Sequence, residues 1–131
     1  MQLSRDFETF IGGPTADARH RLHITINRGG VIYFNQNAYQ ALGKPQGVTL
    51  HFSREKDVIA VQPSNVRSAI SFPVVQKRVG WRINASPFCR HFRIKPSSTE
   101  RFIEPEVASD GILYLKLSKT VSIAGTPRKK K

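Results

Sequence analysis

Short runs in which apolar and polar residues alternate, cut apart by glycine and proline, constrain this chain more than any other feature. Leu22-His23-Ile24-Thr25-Ile26 is such a run. Side chains two apart share one face of a strand, so it predicts a half-buried strand. Asn27-Arg28-Gly29-Gly30 follows and reads as a tight turn, because glycine reaches positive φ at no steric cost. Val31-Ile32-Tyr33-Phe34 is the returning strand. Asn35 can cap a helix through its side-chain oxygen. That helix is expected over 36–42, burying Ala38, Tyr39, Ala41 and Leu42. Gly43 is placed to end it in the left-handed conformation, and Pro45 prevents it from resuming. Val48-Thr49-Leu50-His51-Phe52 alternates as a third strand, Ser53 to Asp57 turns the chain, and Val58 to Val61 is a fourth strand closed by Pro63.

A similar order returns. Phe72 to Val75 is expected as an edge strand, since Pro73 cannot donate to a ladder. Val79, Trp81 and Ile83 alternate as another strand. Ser86 is the expected N-cap of a helix over 88–92, with Pro87 at its first position. Pro96 lies beyond this helix as Pro45 lies beyond the first. Arg101-Phe102-Ile103 begins a strand, Asp110-Gly111 signals a hairpin turn, and Ile112 to Leu117 is the last strand. The halves align at an offset of about 50 to 54 positions, which reads as an internal duplication. The expected organisation is a flexible arm (1–20), a first unit (21–63), a linker (64–71), a second, divergent unit (72–123) and a basic disordered tail (124–131).

Composition narrows the partner. The 131 residues include 21 Lys and Arg against 9 Asp and Glu, a formal net charge of +12. A field of that sign draws polyanions and speeds their encounter. No stretch approaches the roughly 20 apolar residues that span a bilayer, and Met1 to Phe10, with Asp6 and Glu8, lacks the apolar core of a signal peptide. No long amphipathic helix with a basic face is present to lie on a membrane. The single cysteine, Cys89, cannot staple the fold. A cytoplasmic, nucleoid-associated protein is expected.

The first half also carries a family resemblance. Ile24-Thr25-Ile26, then Ala41-Leu42-Gly43-Lys44-Pro45-Gln46-Gly47-Val48, then Val58-Ile59-Ala60-Val61-Gln62-Pro63 resembles the AbrB/MazE-like (SpoVT-AbrB) family, over roughly residues 22–63. Phe92-Arg93-Ile94-Lys95-Pro96-Ser97-Ser98 echoes it. The resemblance implies a swapped-hairpin β-barrel in which two copies interleave, usually as a homodimer. It implies DNA-binding regulators and antitoxins whose basic residues near the first strands face DNA. Arg21, His23 and Arg28 stand at comparable places. The chain departs from the pattern in three ways. Asn27 to Val31 replaces the family's proline after the first strand, the step from Leu42-Gly43 to Pro45 is one residue short, and the second half has no Leu-Gly. A duplicated chain could complete the barrel alone, so either a homodimer or an intramolecular pseudo-dimer fits.

No catalytic constellation is recognisable: there is no phosphate-cradling loop and no nucleophile elbow. Glu104 and Glu106 flank Pro105 in a loop, and Asp110 is explained by its turn. His20, His23, Cys89 and His91 lack zinc-site spacing, and His51 falls on the polar face of its strand. Cys89 reads as a small buried hydrophobe. Trp81 could stack on a base, but its alternation favours core packing. The chain is therefore expected to be no enzyme and to need no cofactor or metal. The fold expected is mainly β with two short helices. The function expected is DNA binding, with double-stranded DNA as partner and RNA as second choice; a non-catalytic oligomeric interaction protein is the remaining alternative. The candidate contact residues are Arg21, Arg28, Lys77, Arg78, Arg82, Arg90, Arg93 and Lys95, with Arg128, Lys129, Lys130 and Lys131 in the tail. Of these, Arg82, Arg90, Arg93 and Lys95 are expected to form the densest cluster.

Overall fold

The computed structural model describes residues 22–64 and 68–123. The expected arm and tail, and part of the expected linker, lie outside them. Among the described residues the chain is mainly β with two short helices. Its strands are β1 (Ile24–Ile26), β2 (Val31–Phe34), β3 (Gly47–Ser53), β4 (Val58–Ser64), β5 (Phe72–Pro73), β6 (Val75–Gln76), β7 (Trp81–Asn84), β8 (Glu100–Phe102), β9 (Glu106–Val107), β10 (Leu113–Lys116) and β11 (Thr120–Ser122). Helix α1 spans Gln36–Ala41 and α2 spans Ser86–Phe92.

All strand pairs are antiparallel and fall into two sheets. One has six strands in the order β11-β8-β1-β2-β7-β6, the other five in the order β5-β3-β4-β10-β9. The apolar members of the alternating runs meet between them. Ile24, Ile26, Ile32, Phe34, Ile83 and Phe102 come from the first sheet, and Val48, Ile59, Val61, Leu113 and Leu115 from the second; each is at most 2% exposed. Burying such a side chain contributes roughly 1.5–3 kcal/mol, so this shared core dominates the stability of the fold.

The expected closed barrel is not what forms. Two segments instead turn the corner between the sheets, as strands do in orthogonal packings. Across 72–76, β5 pairs with β3 in one sheet and β6 with β7 in the other. Across 100–107, β8 pairs with β1 and β9 with β10. Pro73 and Pro105 lie in these corners, where a missing N–H interrupts a ladder.

The two halves interleave rather than stand side by side. β2 pairs with β7 so that Ile32 faces Ile83, and β4 pairs with β10 so that Ala60 faces Tyr114. Turning the molecule about an axis through these two pairs exchanges buried Ile59 and Val61 with buried Leu113 and Leu115. It also exchanges Ala38 with Cys89 and sets the two glycine turns at opposite ends of the β2–β7 ladder, Gly30 two residues before Ile32 and Gly80 three before Ile83. The two glycines have φ of 84° and 88°, and each lies against the start of the helix in the other half. A Cβ on Gly30 would sit 3.0 Å from the Ser86 Cα, and one on Gly80 would sit 2.5 Å from the Phe34 carbonyl oxygen.

The helix ends match each other one residue out of that register and with different residues. Asn35 caps α1 as expected, its Oδ1 accepting from the Ala38 N–H at 3.0 Å. The expected Ser86 cap does not form. Ala85 occupies that position without a side-chain cap, and the Ser86 hydroxyl donates instead to the Gly29 carbonyl, tying α2 to the first turn. Both helices close by a wider hydrogen bond, Lys44 N–H to Tyr39 O and Ile94 N–H to Cys89 O. The left-handed residue this requires is Gly43 in the first helix and Arg93 (φ 61°) in the second.

Candidate nucleic-acid interface

Strand alternation decides what the six-stranded sheet shows on its outer face. Between the buried positions of each strand stand Val121, Arg101, Thr25, Tyr33, Arg82 and Val75. They are direct register partners, one per strand, across all six strands. Adjacent strands lie about 4.8 Å apart, so Arg101 and Arg82 flank Thr25 and Tyr33 at a separation of roughly 14 Å by that spacing. Arg101, Tyr33 and Arg82 are half-buried and Thr25 is buried, while Val75 and Val121 are exposed.

The turns at the two ends of the β2–β7 ladder extend this face. Arg28 is exposed in the turn between β1 and β2, and Lys77 and Arg78 are exposed in the turn between β6 and β7. Backbone bonds hold both turns, Gly30 N–H to Asn27 O at 3.0 Å and Lys77 N–H to Gly80 O at 2.8 Å. In the first, Asn27 Oδ1 also accepts from the Val31 N–H at 2.9 Å. The hairpins spanning 22–34 and 72–84 thus carry Arg28, Lys77, Arg78 and Arg82 and no acidic residue.

The other sheet is different. Its hairpins, 47–64 and 106–116, carry Arg54, Lys56 and Lys116 against Glu55, Asp57, Glu106 and Asp110. Among these hairpins, the positive charge is therefore concentrated in those that build the six-stranded sheet, and the hairpins of the other sheet are close to neutral.

The expected cluster of Arg82, Arg90, Arg93 and Lys95 divides. Arg82 stands on the sheet face. Arg93 leaves the end of α2 in its left-handed conformation, so it does not share a helical face with exposed Arg90. Arg93 and Lys95 line a cleft of about 400 Å³ with Arg54, Phe92, Asp57 and Glu100. The Arg54 guanidinium lies 5.3 Å from the centre of the Phe92 ring. Carboxylates offset the cations there, which makes this cleft a weaker anion surface than the sheet. Arg21 and Arg128, Lys129, Lys130 and Lys131 lie outside the described residues.

Sequence reading missed Arg101 and Arg54. Arg101 sits in an alternating run, but the strand beside it comes from the other end of the chain. Arg54 lies in a turn whose partner, Phe92, is distant in sequence. Trp81 is half-buried; it stacks on Tyr39 with ring centres 3.6 Å apart, and its Nε1–H donates to Gln36 Oε1 at 3.3 Å. It thus fastens β7 to α1. Val79 does not share its alternation: Gly80 breaks the strand, and Val79 is 85% exposed in the turn.

No protein-family model, no curated protein and no solved structure matches the chain. Among the described residues, no group of three or more metal-ligating side chains gathers, and no helix is long and apolar enough to cross a membrane. Cys89 is buried, and desolvation pushes its thiol pKa up, the reverse of what an activated nucleophile needs.

Proposed function

We propose that this protein binds double-stranded DNA through the outer face of the six-stranded sheet and its two flanking turns. As such it would act in the cytoplasm at the nucleoid, as a transcriptional regulator, an antitoxin-like protein or a nucleoid-associated protein. The observation that carries the reading is the segregation of charge. The β1–β2 and β6–β7 hairpins, with four cations and no carboxylate, share one sheet, while the hairpins of the other sheet are nearly balanced. A duplex carries one negative charge per roughly 1.7 Å of its axis, and neutralising phosphates releases counterions, so such a face binds it favourably and in a salt-dependent way. The resemblance of residues 22–63 to the AbrB/MazE-like family supports the same reading.

RNA or single-stranded nucleic acid is the second reading, and Tyr33 favours it. An aromatic ring on an open sheet, flanked by Arg82 and Arg101, is the arrangement on which unpaired bases stack. Parallel titrations of duplex DNA, single strands and structured RNA at two salt concentrations separate the two. Tightest, strongly salt-dependent binding to the duplex is expected. Preference for single strands, lost in Tyr33→Ala, would favour the second reading. Weak, salt-insensitive binding to all three would overturn both.

A further inference from the structure

We infer that one chain engages a duplex as an approximately twofold object, with the Arg28 turn on one DNA strand and the Lys77–Arg78 turn on the other. The inference rests on the DNA-binding reading and adds its geometry and stoichiometry. The axis that exchanges the halves passes through the Ile32–Ile83 and Ala60–Tyr114 pairs. Both are directly opposed residues of antiparallel strands, where the local twofold axis runs perpendicular to the sheet. Such an axis keeps each face on its own side. It brings each glycine turn to the other's end of the ladder and carries Arg28 to Val79, the neighbour of Arg78, because Gly80 stands one residue further from the axis than Gly30. At about 3.3 Å per residue along the ladder, the two turn tips lie roughly 25 Å apart. A duplex backbone has twofold axes of its own, perpendicular to its helix axis. When the axes coincide, side chains related by the protein axis meet phosphates related by the DNA axis, which is why half-sites on DNA mirror protein symmetry. Here a single chain supplies both arms.

The arms are unequal. The first turn is Asn27-Arg28-Gly29-Gly30 and the second Lys77-Arg78-Val79-Gly80. The second has a further cation, Lys77, and an exposed valine where the first has Gly29. One side of the bound site is therefore held more tightly than the other.

The test uses the full chain, a duplex of about 20 base pairs and the variants Arg28→Ala, Arg78→Ala and Lys77→Ala/Arg78→Ala. Arg54→Ala, in the cleft, serves as comparison. All replace exposed residues, and thermal unfolding checks that each is folded. The slope of log affinity against log salt loses about 0.9 for each phosphate contact removed. Each single turn variant should lower the slope by about 0.9 and the double variant by about 1.8, with Arg54→Ala near the parent. Sedimentation should show one chain per duplex at the first binding step. Two chains in the first complex, or a slope that responds to only one of the two turns, would overturn the inference while leaving DNA binding intact. A parent protein that does not bind the duplex in a salt-dependent way would overturn the DNA-binding reading and this inference with it.

Discussion

The turn glycines are the residues on which both interleaving and function depend. Gly80 has φ of 88°, and a Cβ there would meet the Phe34 carbonyl oxygen at 2.5 Å. Gly43 has φ of 85°, but nothing lies within 4 Å of the added carbon. Gly43→Ala should therefore cost only the left-handed penalty, about 1 kcal/mol. Gly80→Ala should cost about 3 kcal/mol or more, because backbone has to move as well. Urea unfolding of the two variants checks the order, and equal losses would show that Gly80 is not packed as described. Cys89 offers a second residue-scale test. Burial raises its thiol pKa, so the native protein holds that proton after the unfolded chain has released it. A thiol reagent at about pH 8, near the ordinary thiol pKa, should react with native protein only as fast as it opens, and rapidly in urea. Fast reaction of the native protein would contradict the buried placement.

Among the elements, α1 rests on a single side chain. Asn35 Oδ1 accepts from the Ala38 N–H and from the His23 N–H at 3.1 Å, so one oxygen caps the helix and anchors the residue that leads into β1. Asn35→Ala should lose about 2 kcal/mol, the upper end of the cap range, read as a lowered denaturation midpoint; a loss below about 0.5 kcal/mol, the low end of that range, would deny the double role. What was legible in the sequence was local in this sense. The Asn35 cap, the Gly43 exit and the Asp110 turn, whose Oδ1 accepts from the Ile112 N–H at 2.9 Å, each depend on residues a few positions apart. The corners at 72–76 and 100–107 were not legible, because one half of each pairs with a nearby strand and the other half with a strand tens of residues away. The Ser86 cap was misread for the same reason: its hydroxyl is taken by Gly29, far back in the chain. The site followed this division. Arg28, Lys77 and Arg78 were visible in their turns, while Arg101 reached the same face only through β8 pairing with β1.

At the scale of the whole molecule, interleaving means that neither half can bury its own apolar face. The β2–β7 and β4–β10 ladders each join one half to the other. The intact chain should unfold in one cooperative step, with circular dichroism and Trp81 fluorescence changing together, as small single domains do. A chain ending at residue 66 and another beginning at 67 should each fail to show a cooperative transition alone. If either melted sharply as a monomer, the halves would be independent domains. The same interleaving brings the two cationic hairpins into one sheet and leaves the balanced hairpins on the other, and the proposed function follows from that asymmetry. Amide chemical shifts recorded while a duplex of about 20 base pairs is added test it most directly. The account predicts that shifts move in the turns 27–30 and 77–80 and at Tyr33, Arg82 and Arg101, while those of 54–57 at the β3–β4 tip stay in place. Movement confined to 54–57 and the Arg93–Lys95 cleft, with the six-stranded face unchanged, would contradict it.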